Sequence, residues 1–289
     1  MSVKDGHIAG KIIDPHLHFF ALAEGDYHWL KPENPPFWPD KSRINHPYQQ
    51  QDITSSNVPI AGFVHIEAGF DNTSPENEIR WLEQHATLPF KSIAFCDLGA
   101  SDFTQQLARL TQYDSVVGIR HILDDDAKAI LTSPLAQENL QQLAQQSLIF
   151  ELQTDICKVE NLAAVVNMLK AQPKLEVILN HAGFLPLQQL TPTLKSLLSQ
   201  LSQFANLYVK ASGWEMSNRQ WQLQPAVSVI TDLVQYFGDD RVMLASNFPV
   251  SELAQPYAKL WTNYWQSFAH TPELWQKLSY QNSHRLYRF

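Results

Sequence analysis

The sequence predicts an α/β protein folded as a (β/α)₈ barrel, the TIM-barrel architecture, on three observations. Its 289 residues suit one such barrel, which commonly takes about 250 residues. Short β-branched runs alternate with longer segments whose apolar residues recur at helical spacing, the pattern of repeated βα units. Polar residues recur where the apolar runs stop, and a barrel brings all those strand ends to one face.

In chain order, the strand candidates are Lys11 to Phe19, Ile60 to Glu67, Phe90 to Leu98, Ser115 to Ile122, Ser147 to Thr154, Leu175 to His181, Asn206 to Ser212 and Arg241 to Asn247. After the first strand the alternation breaks: residues 21–59 carry Pro32, Pro35, Pro36, Pro39 and Pro47 with Trp29, Phe37 and Trp38 interleaved. So many aromatics predict a long loop packed across the barrel mouth as a lid or pocket wall, rather than a disordered segment. Helix starts are readable at Ser74-Pro75 before Glu76 to His85, and at Ser133-Pro134 before Leu135 to Gln145. There a capping residue precedes proline at the first helical position, where proline loses no hydrogen bond. Thr191-Pro192 and Thr271-Pro272 repeat the signal. The helices they open carry one apolar stripe each, Leu194, Leu197, Leu198 and Leu201 in one, Leu274 and Leu278 in the other, as suits the outside of a barrel. No linker or further repeat interrupts this, so residues 1–289 are expected to form one domain.

With 44% hydrophobic and 17% charged residues, the composition is that of a soluble globular protein. A net charge of −8 and 21 scattered basic residues argue against nucleic acid, which requires clustered Lys and Arg. Met1 to Lys11 lacks the apolar centre of a secretory signal, and no run approaches the roughly 18 apolar residues of a membrane span. The expected location is therefore cytoplasmic, away from membranes. Cys96 and Cys157 sit in apolar surroundings without metal-type spacing or an activating motif, so both are read as buried free thiols.

In Asp14-Pro15-His16-Leu17-His18, His16 and His18 are two apart on a strand and project to the same side. Convergent imidazoles suit a divalent metal, polarisation of a carbonyl, or proton transfer. Alone, the pair is better explained by structural histidines satisfied by hydrogen bonds. Three other strand ends give it context: Asn180-His181-Ala182-Gly183, Lys210-Ala211-Ser212-Gly213-Trp214 and Ser246-Asn247-Phe248-Pro249.

Further matches follow in order: Gly25-Asp26-Tyr27-His28-Trp29-Leu30, Val64-His65-Ile66-Glu67-Ala68, Glu78-Ile79-Arg80-Trp81-Leu82, Gly118-Ile119-Arg120-His121 and Asn282-Ser283-His284-Arg285-Leu286-Tyr287. On these motifs, spread over nearly the whole chain, the sequence resembles the amidohydrolase superfamily. Within it, the resemblance is to the branch that includes fuconolactonase and the pyrone dicarboxylate lactonase. It implies an amidohydrolase-type barrel with His16, His18 and His181 at the substrate and Arg120 facing an acidic or polyhydroxyl ligand.

Two positions depart from the superfamily pattern. Asn247 stands where an aspartate usually activates water, and an amide accepts no proton there. The fifth strand, Phe150-Glu151-Leu152-Gln153, lacks the histidine of binuclear members. The resemblance therefore implies a single weakly held divalent ion such as zinc, with His16 and His18 as its ligands, or no metal. A replacement base is expected among the first-strand histidines, His181 and Glu67. Glu67, Lys210, Trp29 and Trp214 are expected to line the pocket; His65, His121 and His284 are read as structural.

The function expected is a lactonase-like hydrolase of carbohydrate metabolism acting on a small sugar-derived or acidic lactone, with His16, His18, His181 and Asn247 as its catalytic set. The alternatives are a non-hydrolytic barrel that binds a sugar acid, motivated by Asn247, and a decarboxylase of the same superfamily. The expected partner is the small molecule alone; the oligomeric state, a homo-oligomer included, is left open by the sequence.

Overall fold

Each apolar run forms a strand, and most strands stop before the run does. The computed structural model describes residues 8–289. Part of the segment read for a secretory signal, residues 1–7, lies outside them. The strands are β1 (Ile12–Leu17), β2 (Ile60–Ile66), β3 (Phe90–Phe95), β4 (Val116–Ile122), β5 (Ile149–Gln153), β6 (Val177–Leu179), β7 (Leu207–Ala211) and β8 (Val242–Leu244). They pair in sequence order, every neighbour parallel, with helices between them. β6 and β8 end early because His181 (φ 53°) and Asn247 (φ 60°) turn into the left-handed region, which breaks the ladder.

Closure comes from the segment after β8 rather than from β8 itself. Asn247 N donates to His16 O at 2.9 Å, His18 N donates to Phe248 O at 2.7 Å, and Leu17 bridges Phe248. The buried Asp14 fastens this seam, its Oδ1 accepting from Ser246 N (3.1 Å) and from His16 N (3.2 Å).

Apolar packing forms two layers. One lies between the strands and the surrounding helices. The other fills the lower barrel interior with Val64, Ile66, Ile93, Ile149, Ile178 and Met243, joined by Leu286 and Tyr287 from the chain end. The period-two alternation of β5 shows how this interior changes with height. Ile149 belongs to the apolar layer, Glu151 two residues on accepts from Lys210 Nζ (2.7 and 2.6 Å) and Tyr287 Oη (2.5 Å), and Gln153 reaches the mouth.

Around the barrel, Thr191 caps the helix Pro192–Ser202 by accepting from Leu194 N, and Ser133 precedes Pro134 of Pro134–Gln145, although without a side-chain cap. Pro75, not Ser74, is the residue before Glu76–His85. The 21–59 segment is an ordered loop with 3-10 turns at His28–Leu30 and Lys41–Arg43 and a short helix at Gln50–Thr54. It is held from within by the buried Lys41, whose Nζ donates to the carbonyls of Trp29 (2.7 Å), Lys31 (3.1 Å) and Asn34 (2.7 Å). Among the described residues, no helix is long and apolar enough to cross a membrane. Cys96 is buried, and burial pushes its thiol up to about 12. Cys157 corrects the sequence reading: it is exposed, because it lies in the turn after β5 rather than under a helix.

The Lys210–Glu151 pair is fully buried. Lys210→Met strands an uncompensated carboxylate in the barrel and is expected to cost about 3–5 kcal/mol in chemical denaturation. Adding Glu151→Gln, which keeps an acceptor for Tyr287 without the charge, should recover most of that loss.

Candidate active site

The strand ends enclose a cavity of about 540 Å³. His18, Glu67, Arg120, Gln153, His181 and Asn247 supply most of its polar lining, with Asn72, His121 and Asp124 further out, and Trp29, Pro35, Pro36 and Trp38 bring the crossing loop over it. Trp29 is fixed by its Nε1, which donates to Ala68 O at 2.8 Å, and Trp38 by the guanidinium of Arg219 at 4.6 Å from its ring. His16 lies one level deeper, its ring 5.1 Å from that of His18 and 4.6 Å from that of His181.

His181 takes its place through a left-handed turn in which Ala182, Gly183 and Phe184 also have positive φ. For non-glycine residues this costs roughly 1–2 kcal/mol each, a strain that persists only where surrounding packing imposes it. Gly213, after β7, passes directly over the imidazole; a Cβ there would meet His181 Nδ1 at 2.5 Å, so only glycine admits this approach.

Arg120, projecting from β4, is the centre of the charge arrangement. Its Nε donates to Glu67 Oε1 (2.8 Å), Nη2 to Glu67 O (2.8 Å) and Nη1 to Gln153 Oε1 (3.2 Å). Three of its five N–H groups thus fix the planar head, while the residue still faces the cavity. Burial holds Glu67 above the usual carboxylate range, with Arg120 opposing the shift.

All three imidazoles are held well below their ordinary pKa. Burial is the main cause; Lys210 comes next for His16, and Arg120 for His18 and His181. They are neutral near pH 7. His18 Nδ1 lies 2.8 Å from Ile66 O, and a carbonyl only accepts, so Nδ1 carries the proton and Nε2 offers a lone pair. His181 Nδ1 bonds Ser212 Oγ at 3.0 Å.

These residues do not fit the metal site expected on His16 and His18. His16 is flanked on both edges by cationic donors, Lys210 Nζ at 3.3 Å from Nδ1 and Arg120 Nη1 at 3.5 Å from Nε2. His18 keeps its Nε2 lone pair free, but His16 cannot join it as a second ligand between two cations, and Asn247 brings no charge to offset a divalent ion. Among the described residues, no cluster of three His, Cys, Asp or Glu has a metal-holding arrangement.

Two expected pocket residues lie elsewhere. Lys210 is fully buried beneath the cavity, held by Glu151, because β7 points it into the barrel interior. Trp214 packs outward, its Nε1 donating to Tyr264 Oη at 2.9 Å. His121 accepts from Leu98 N at 3.3 Å, as a structural histidine does, and also lines the cavity beside Asp97. His65 accepts from Phe19 N at 3.0 Å outside the cavity, and His284 is exposed, its ring tilted against that of Tyr280.

The sequence reading missed Glu215, on the short helix Trp214–Ser217 just after Gly213. Its Oε1 accepts from Asn247 Nδ2 at 2.6 Å, so a carboxylate stands behind the eighth-strand amide. An inventory of acidic residues just beyond strand ends, instead of at the usual position only, would have found it.

Burial raises Glu215 from 4.5 to about 7. Below the unfolded-state value both states are protonated and the site costs nothing. As pH rises from 4.5 to about 7 the unfolded state ionises first, so the native state loses stability through that window, by about 3 kcal/mol at full ionisation. Glu215→Gln removes the titration. Its melting temperature is expected to gain on the native protein's between those pH values and to stay ahead above them.

A family model of amidohydrolases matches residues 13–289. Among curated proteins, the chain is 29% identical over 269 residues to the uncharacterized protein y4mH of Sinorhizobium fredii, covering 86% of this chain and 89% of that one. It is 22% identical over 248 residues to L-fucono-1,5-lactonase of Burkholderia ambifaria, covering 84% and 81%. An amidohydrolase of Burkholderia multivorans solved with bound zinc superposes with a TM-score of 0.82 at 17% identity, over 97% of this chain and 100% of that one, a likeness of fold alone. With the family match running from the first strand to the last residue, over the barrel and every site residue just described, the chain belongs to the amidohydrolase family.

Proposed function

We propose that the protein hydrolyses a small lactone, sugar-derived or carboxylated, by attack of water on the ring ester. The observation that carries this reading is Arg120, a guanidinium locked by Glu67 and Gln153 yet lining the cavity beside two neutral imidazoles. A fixed cation of this kind stabilises the oxyanion formed when water adds to a carbonyl, and needs no reorganisation as the charge develops. The lactonase relative from Burkholderia ambifaria supports the substrate class, and the tryptophan walls suit the apolar face of a sugar-like ring.

His18 Nε2 accepts the proton from the attacking water. Its Nδ1–H on Ile66 O holds the ring in the tautomer that makes this possible, the orienting logic of hydrolytic triads. Arg120 depresses its basicity in the resting site, and the nascent oxyanion offsets that charge, so the imidazole becomes a better base as the bond forms. The tetrahedral intermediate then expels the ring oxygen, which takes the proton, leaving a hydroxy acid. Glu67 is committed to Arg120, which removes it from the candidates for the base. His181 positions the ester, and Asn247 holds the water.

Asn247 favours a second reading, a barrel that binds a sugar acid without turnover, because no carboxylate stands at the usual position. A lactone panel monitored by acid release separates the two: turnover supports hydrolysis, whereas thermal stabilisation by the same compounds without acid release supports binding only. Decarboxylation gains no separate support from the cavity. In the active case, Arg120→Met is expected to lower kcat by about 10²–10³, His18→Ala by about 10²–10⁴, and His181→Ala to abolish most acid release.

His16, set between Lys210 and Arg120, does not fit a metal ligand, and no step above uses a metal. Treatment with a strong chelator, then dialysis, is expected to leave lactone turnover unchanged; loss restored by added zinc would contradict this.

A further inference from the structure

We infer that Glu215 is a positioning residue whose charge state decides which edge of the Asn247 amide faces the cavity. The orientation with Glu215 ionised follows from geometry; the kinetic consequence of its exchange rests on the lactonase reading.

Glu215 is 2% exposed and forms no ion pair among the described residues, although a guanidinium is close. Arg219 spends its charge on Asp40, at 2.9 Å, and donates to the Glu215 main-chain carbonyl instead of the carboxylate. A buried carboxylate left without a cation is costly, and its partner on the cavity side is Asn247. An ionised carboxylate only accepts, so the edge presented to it must be Nδ2, which leaves Oδ1 as the edge turned from Glu215.

Everything else about Asn247 is pinned. Its N donates to His16 O at 2.9 Å and its carbonyl accepts from Ser251 N at 3.1 Å, in a left-handed backbone conformation that asparagine tolerates. Only the amide can turn. With Glu215 ionised, Oδ1 accepts a hydrogen from a cavity water and leaves that water's lone pair free for a carbonyl carbon. Once Glu215 is protonated, its O–H donates to Oδ1 and the amide turns, so Nδ2 faces the cavity and holds water by the lone pair needed for attack.

Burial, which raises Glu215 to about 7, places this exchange near neutrality. The charged and titratable groups around Glu215 are Arg219 with Asp40, Tyr264 on the helix Tyr257–Phe268, Glu252 on the adjoining turn Val250–Leu253, and His181 under Gly213; Asp14 acts on Tyr264.

Side-chain amide NMR of the full chain carrying ¹⁵N-asparagine tests this without a substrate. The Asn247 pair, identified by its loss in Asn247→Asp, is expected to shift with a single midpoint near pH 7 in the native protein, and the shift should vanish in Glu215→Gln. A pH-independent signal, or the same midpoint in Glu215→Gln, would overturn the inference. In the kinetic arm, kcat should rise through the same midpoint and the rise should vanish in Glu215→Gln, with high-pH turnover kept within about tenfold because the Gln carbonyl still accepts from Nδ2. Turnover abolished at every pH in that variant would mean that Glu215 is itself the base, contrary to the inference. If no lactone turns over while the amide still titrates, the lactonase reading fails and the orientation device stands.

Discussion

The seam between β1 and the segment after β8 is the constraint on which the rest depends. Its hydrogen bonds are made by the main chains of His16, His18, Asn247 and Phe248, and Asp14 locks them from beneath. Three of the four residues that close the barrel, His16, His18 and Asn247, are therefore residues whose side chains build the site. Burial lifts the Asp14 carboxyl to about 6, so neutralising it weakens a fold contact and a site contact together. A site placed this way inherits the precision of the sheet and needs little from loops.

Charge is arranged by depth below that seam. Lys210 and Glu151 neutralise each other within the barrel, and one level above, Arg120 and Glu67 do the same at the cavity. Both cations face His16, and their field with burial keeps the imidazoles unprotonated. A divalent ion supplies positive potential to a carbonyl in many hydrolytic barrels. Here the guanidinium already occupies the edge of His16 where such potential would be supplied.

Fold and site were unequally legible in the sequence. All eight strands were readable because a parallel sheet buried on both faces leaves continuous apolar runs, and the polar residues ending them pointed to His18, His181 and Asn247, whereas Arg120, inside β4, came from the family resemblance. What the strand pattern lacks is the direction of a side chain after a strand stops. Trp214 and Glu215 are adjacent, yet the tryptophan packs outward on Tyr264 while the glutamate meets Asn247. The turn that separates them starts at Gly213, which has positive φ. Lys210 was misplaced for a related reason: period two gave its face but not its height, and it ends under the cavity with Glu151.

The central claim is that a fixed guanidinium, rather than a metal, faces the reacting carbonyl. Its most direct test is a crystal structure with a sugar hydroxy acid bound, collected with anomalous data at the zinc edge. The account predicts the product carboxylate on Arg120, within reach of His18 and His181, and no anomalous peak beside His16. An anomalous peak shared by His16 and His18, with Arg120 turned away from the carboxylate, would contradict it.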